Sequence, residues 1–148
     1  MHLSPMKYLA LGLSLFLVAC GSSSSPTDPG NTGNPSPTIK TDPSFASDVY
    51  EILQRRSCTS SGCHGTGAGG LTMTTASVSY SNLVNQPAKG KTGEILVIPG
   101  DSANSYLVKK LEGAAGIAGV QMPNGLPPLD TTDMTNIKNW IDLGAKNN

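Results

Sequence analysis

Apolar residues recur at helical spacing in four stretches of the chain, separated by intervals rich in glycine and proline. Phe45, Val49, Ile52 and Leu53 fall three or four positions apart, which predicts a helix with one apolar face; Asp42 is placed to cap it and Pro43 to take its first position. Thr75 to Val84 predicts a short second helix with Val78 and Leu83 inward. A third, capped by Asp101 or Ser102, runs through Leu107 and Leu111 and ends at Gly113. The last starts near Thr131 or Thr132, carries Met134, Ile137, Trp140 and Ile141 on one stripe, and stops at Gly144. Between these, Gly65 to Gly70 reads as a loop and Leu71 to Met73 as extended chain. The run Ile95 to Ile98 is extended ahead of the Pro99-Gly100 turn, and Gly113 to Leu129 is irregular. The pattern is that of an all-α domain of about four helices joined by long glycine- and proline-rich loops.

The N-terminal pattern is of another kind. An apolar stretch from Leu9 to Ala19 follows Lys7 and is too short to span a bilayer. With Leu17-Val18-Ala19-Cys20 at its end it resembles a bacterial lipoprotein signal, cleaved before Cys20 and leaving that residue as the lipid-bearing N-terminus. Gly21 follows where enteric bacteria use aspartate for inner-membrane retention, so the resemblance implies an envelope protein facing the periplasm, anchored in the outer membrane rather than the inner. Several acyl chains, each buried methylene contributing about 0.8 kcal/mol, make such an anchor stable. A secretory signal cut elsewhere is the alternative.

From Gly21 to Asp42 the chain is almost wholly Ser, Pro, Thr, Gly, Asn and Asp, with Ile39 its only large apolar residue. Such a segment buries no core and serves as a tether with a reach of roughly 25 Å. The expected organisation is therefore a signal over residues 1–19, a lipidated N-terminus and linker over 20–42, and one domain over 43–148. No internal repeat suggests a solenoid. The chain has 10 Lys and Arg against 10 Asp and Glu, and losing Lys7 with the signal barely shifts that balance. Charge therefore offers no case for nucleic acid or for a polybasic membrane site. The domain's large aromatic residues are few: Phe45, Tyr50, Tyr80, Tyr106 and Trp140. A small domain so composed gains from a large apolar prosthetic group.

Residues 58–64 read CTSSGCH. Two thiols followed at once by an imidazole have the layout of a covalent haem attachment site: Cys58 and Cys63 can make thioethers with the vinyl groups, and His64 can be an axial iron ligand. The usual spacing is CxxCH, so two extra residues must loop out. Thr59, Ser60, Ser61 and Gly62 are small, and a positive φ at Gly62 would accommodate the bulge. With Cys20 assigned to the anchor, Cys58 and Cys63 are a self-contained pair in an oxidising compartment. A disulfide between them is the alternative. A zinc site would have only Cys58, Cys63 and His64 in the mature chain, one ligand short of a tetrahedral set.

The helix leading into CTSSGCHG, the GGLTM stretch, VIPGDSANSYLVKKL, QMPNGLPPL and the final NIKNWIDLGA together resemble a small monohaem c-type cytochrome. The chain is similar to the cytochrome c-like domains of exported bacterial lipoproteins and of larger electron-transfer assemblies, over about Phe45 to Ala145. The resemblance implies a cytochrome c-like fold around one covalent haem c, with a methionine late in the domain as second axial ligand. Met122 occupies that place, and Met73 is the other candidate. Met134 belongs to the core stripe. A thioether favours ferrous iron, so a His64/Met122 pair would raise the reduction potential, and Pro123, Pro127 and Pro128 would stiffen its loop.

The implied function is one-electron transfer to redox partner proteins at the membrane that holds Cys20, with no nucleic acid and no chemical substrate. Lys89, Lys91, Lys109 and Lys110 could form an acidic partner's docking patch, or simply a solvated surface. Tyr80, Tyr106 and Trp140 could bond haem propionates, or simply pack. Two other readings stay open: a haem enzyme or small-ligand binder with an open sixth position, and a haem-free lipoprotein binding module with a Cys58 to Cys63 disulfide.

Overall fold

The computed structural model describes residues 37–148; Cys20, the signal segment and most of the linker lie outside the described residues. The domain is helical. A single turn of π-helix, Phe45–Val49, leads directly into α1, Tyr50–Arg55; α2 is Ala76–Leu83, α3 Tyr106–Glu112 and α4 Thr131–Asp142. Among the described residues no strand forms, only isolated bridges of Val84 with Val97, Pro87 with Ile95 and Ile98 with Asp101. The run expected to be extended, Ile95 to Ile98, is the one that makes them. No described helix is long and apolar enough to cross a membrane.

The helix positions follow the apolar periodicity, whereas two starts and one buried face differ from expectation. Asp42 does not cap the first helix and Pro43 does not open it: Ser44 is the cap, its side chain accepting from the Ser47 amide, while Asp48 accepts from the Ser44 amide at 2.8 Å. A reciprocal pair of side-chain bonds satisfies two amide donors, which one exposed aspartate ahead of a proline does not. Asp101 and Ser102 do not cap α3. Asp101 takes the amide and side chain of Asn104 in a preceding turn, Ser102 bonds Asp142, and the helix begins four residues later with Ser105 as N-cap residue. In α2, capped by Thr75, Leu83 is fully buried as expected but Val78 faces solvent, and Ser79 lies inward with its hydroxyl bonded to the Thr75 carbonyl. Ser79 is small and self-satisfied, so it packs where a valine was expected.

The first and last helices pack on each other through aromatic rings. Phe45 lies 5.0 Å from Trp140 and 5.3 Å from Tyr80, the latter edge to face. Each such contact adds about 0.5–1.5 kcal/mol beyond its buried area, against about 0–1 kcal/mol for an exposed ion pair. The rings, not the surface charges, therefore hold this junction. The chain end closes over it: Asn148 accepts from the Phe45 and Ala46 amides, and Trp140 Nε1 donates to the Lys146 carbonyl. Residues upstream of Pro43 also pack on the domain: Asn136 and Asn139 of α4 bind the backbone of Thr38 and Lys40.

A second junction ties the end of α1 to the start of α4. Asp133, with no side-chain exposure, accepts from Arg55 Nη2 and Arg56 Nε at 2.7 Å each and from Arg55 Nη1 at 3.1 Å. Arg56 also pairs with Asp130, which caps α4 through the Asp133 amide. Burial alone would raise the Asp133 pKa, but the hydrogen bonds from Arg55 and Arg56 outweigh it and hold the carboxyl below its ordinary range.

A carboxyl with a depressed folded pKa stabilises the fold above its unfolded pKa of about 3.9, and that contribution disappears as pH falls through the folded value. Asp133→Asn is therefore expected to lower unfolding stability at pH 7 by about 2–3 kcal/mol, the partly exposed guanidinium groups keeping the loss below that of a fully buried pair. In urea titrations the gap between parent and variant should close below about pH 4. A gap of equal size at pH 7 and pH 3 would show that the charge of Asp133 is not what matters.

Candidate functional site

Just past α1 the chain makes a compact turn that sets its two cysteines and one histidine on the wall of a cavity of about 670 Å³. The Cys58 amide donates to the Leu53 carbonyl at 2.8 Å, so the turn hangs from the last turn of the helix. Ser57, at φ 59, makes the left-handed step that redirects the chain. The longer spacing between the thiols is then folded away: the Cys63 and Gly65 amides both donate to the Ser60 carbonyl, at 3.0 and 2.9 Å, and the His64 amide returns to the Cys58 carbonyl at 3.0 Å.

The glycine that this turn requires is not Gly62. Gly62 keeps an ordinary φ and has open space where a Cβ would be. A Cβ on Gly65 would lie 2.4 Å from the Thr59 carbonyl oxygen and 2.7 Å from that of Ser60. The expected positive φ at Gly62 is thus replaced by Ser57 for direction and Gly65 for close backbone approach.

His64 is half-buried, and the segment just after it in the chain holds its ring. Its Nδ1 lies 2.8 Å from the Ala68 carbonyl oxygen and 3.2 Å from that of Leu71. A carbonyl only accepts, so Nδ1 carries the proton and the lone pair resides on Nε2. The short 3₁₀ turn Ala68–Gly70 aims those carbonyls, and Gly67 at φ 87 and Gly69 at φ 62 give it the left-handed geometry. The Met73 amide then donates to the His64 carbonyl at 2.8 Å, bringing the chain back along the cavity.

Both thiols are free, Cys58 buried and Cys63 half-buried. Burial, and next the nearby Cys63, push the Cys58 thiol up to about 11. Among the described residues no three His, Cys, Asp or Glu side chains converge as a metal-holding group.

The cavity also receives the late loop. Met122 lies on its wall with Pro123, and Met73, 2 % exposed, lies there too, while Met134 packs against the core away from it. All four side chains singled out in the domain, Cys58, Cys63, His64 and Met122, therefore share one cavity; Cys20 lies outside the described residues. The wall is mainly apolar, contributed by Leu53, Leu71, Leu96, Leu107 and Leu111 among others. Arg56, Lys89 and Lys110 also lie on the wall, the Arg56 guanidinium held by Asp130 and Asp133. A mainly apolar chamber of this volume suits a large, flat hydrophobic molecule. The group implied by the sequence fits the residues present.

Several positioning groups carry no signal in the attachment motif. Asn82 donates to the Thr72 carbonyl at 2.8 Å and holds the segment after His64 against α2. Tyr80 and Trp140 donate to the carbonyls of Ala145 and Lys146, and the Tyr106 oxygen accepts from the Ala118 amide, so all three brace backbone. Two of the four lysines are engaged within the domain, and Lys89 is exposed. Lys109 pairs with Glu94 at 2.8 Å, and Lys110 turns onto loop carbonyls. Comparison of the chain with protein-family models, with curated proteins and with solved structures found no match.

Gly65→Ala is expected to force the backbone of the turn apart at a cost of roughly 1–3 kcal/mol, lowering the thermal midpoint by at least several degrees. Gly62→Ala should leave it nearly unchanged. Equal midpoints for the two variants in differential scanning calorimetry would contradict the packing of this turn.

Proposed function

We propose that the protein is a lipid-anchored monohaem c-type cytochrome that carries single electrons. The observation that carries this reading is the state of His64: an imidazole whose Nδ1 is saturated by two carbonyls, leaving the Nε2 lone pair to ligate a metal, on the wall that also bears two free thiols and the Met122 thioether. Cys58 and Cys63 would anchor the haem as thioethers, and His64 and Met122 would hold its iron, within a cytochrome c-like fold. When bound, the haem iron supplies the one-electron couple. The chain's own residues keep ligation fixed and hold water away with the apolar side chains of Leu53, Leu96, Leu107 and Leu111. Tethering through Cys20 would keep the domain beside its redox partners at the envelope membrane, the outer rather than the inner one.

Expressed in a host with haem-attachment machinery, the protein is expected to retain the mass of one haem after denaturation, and Cys58→Ala with Cys63→Ala to lose it. A bare polypeptide from such a host would end this reading. The native protein should show six-coordinate low-spin haem that becomes five-coordinate in Met122→Ala. A parent that is already five-coordinate and high-spin would favour a ligand-binding or enzymatic haem protein over a carrier.

A further inference from the structure

Lys110 lies on α3 one turn after Tyr106, and its ammonium is directed at the loop that ends in Met122. It donates to the Ala118 carbonyl at 2.8 Å and to that of Val120. Three more bonds join the same two elements. The Met122 amide donates to the Lys110 carbonyl at 2.9 Å, Gln121 Nε2 to the Leu111 carbonyl at 2.8 Å, and the Ala118 amide to the Tyr106 hydroxyl at 2.8 Å. The carbonyls of Lys110 and Leu111 belong to the last turn of α3, where the helix supplies no amide donors for them. The loop from Gly113 to Met122 is thus docked onto a helix end, with one cation bridging the stretch just before the thioether.

We propose that Lys110 is a positioning residue for Met122: by holding two loop carbonyls with one charge, it fixes the loop and so sets where the Met122 sulfur stands in the cavity. This rests on the cytochrome reading for its consequence, the strength of sulfur ligation, but not for the clamp itself. Most of these contacts come from side chains, so the loop's stiffness depends on α3 and not only on the prolines that follow Met122. Charge-assisted bonds are roughly twice as strong as neutral ones, which makes the lysine the main fastener among them. Lys109, the neighbouring residue, pairs instead with Glu94 and supplies the control.

Two measurements on the full haem-loaded chain separate the parts. Amide hydrogen exchange over residues 118–122 is expected to rise about tenfold or more in Lys110→Gln and to stay at the parent rate in Lys109→Gln; unchanged exchange in Lys110→Gln overturns the clamp. Added imidazole, competing with the Met122 sulfur for ferric iron, is expected to bind roughly tenfold more tightly in Lys110→Gln, with parent affinity in Lys110→Arg. Faster exchange with unchanged imidazole affinity would overturn the ligand-positioning role. If Lys110→Gln does not fold, Lys110→Met keeps the aliphatic stem while removing the charge, and the same comparisons apply. A parent protein devoid of haem would overturn the cytochrome reading and the ligand role with it, while the exchange data would still decide the clamp.

Discussion

The histidine directly after the second cysteine has one nitrogen committed to protein and one left over, and the rest of the site depends on that division. Two carbonyls, from Ala68 and Leu71, hold the proton of Nδ1. Without them the ring would be free to rotate and to change tautomer, and the neighbouring thiols would lose their fixed relation to it. The local chain is built to supply those carbonyls: left-handed glycines turn the segment after His64 back on itself, and the amide of Met73 closes the turn on the His64 carbonyl.

This turn is rigid because of the packing behind it. It hangs from the end of α1, which Arg55 and Arg56 tie to the buried Asp133 of α4, while Phe45, Tyr80 and Trp140 join the start of the first helix to the last one. A shift of α4 would therefore reach Cys58 through the arginines within a few residues. The other part of the wall, around Met122, is fastened separately to the end of α3. The cavity is assembled from two independently anchored loops. A flat ligand lying between them would join both, which is how a small domain with few large side chains can gain a core.

Much of this was legible in the amino-acid pattern. The four apolar stripes gave the helices, Gly113 and Gly144 gave two of their ends, and the cysteines, His64 and Met122 were recognisable by residue type and order. The starts of the first and third helices were less so, because Asp42 and Asp101 compete with nearby serines for the same role and three-dimensional partners decide the winner. Val78 and Ser79 exchanged places for a related reason: a self-bonded serine can pack inward in a helix of only eight residues. The function of Gly65, the inward turn of Lys110 and the carbonyl pair on His64 depend on backbone positions, which no residue pattern encodes directly. The run Gly67-Ala68-Gly69-Gly70 shortly after the histidine was the one signal for that pair.

The whole account rests on covalent attachment at one turn. Cleavage after Arg56 and Lys89 isolates residues 57–89, which contain both thiols and His64. Mass spectrometry of that peptide, after treatment of the denatured protein with an alkylating agent, is the most direct measurement. The expected result is a single species carrying one haem and no alkyl group on Cys58 or Cys63. A peptide alkylated at both cysteines, from protein made where haem attachment operates, would contradict the account at its root.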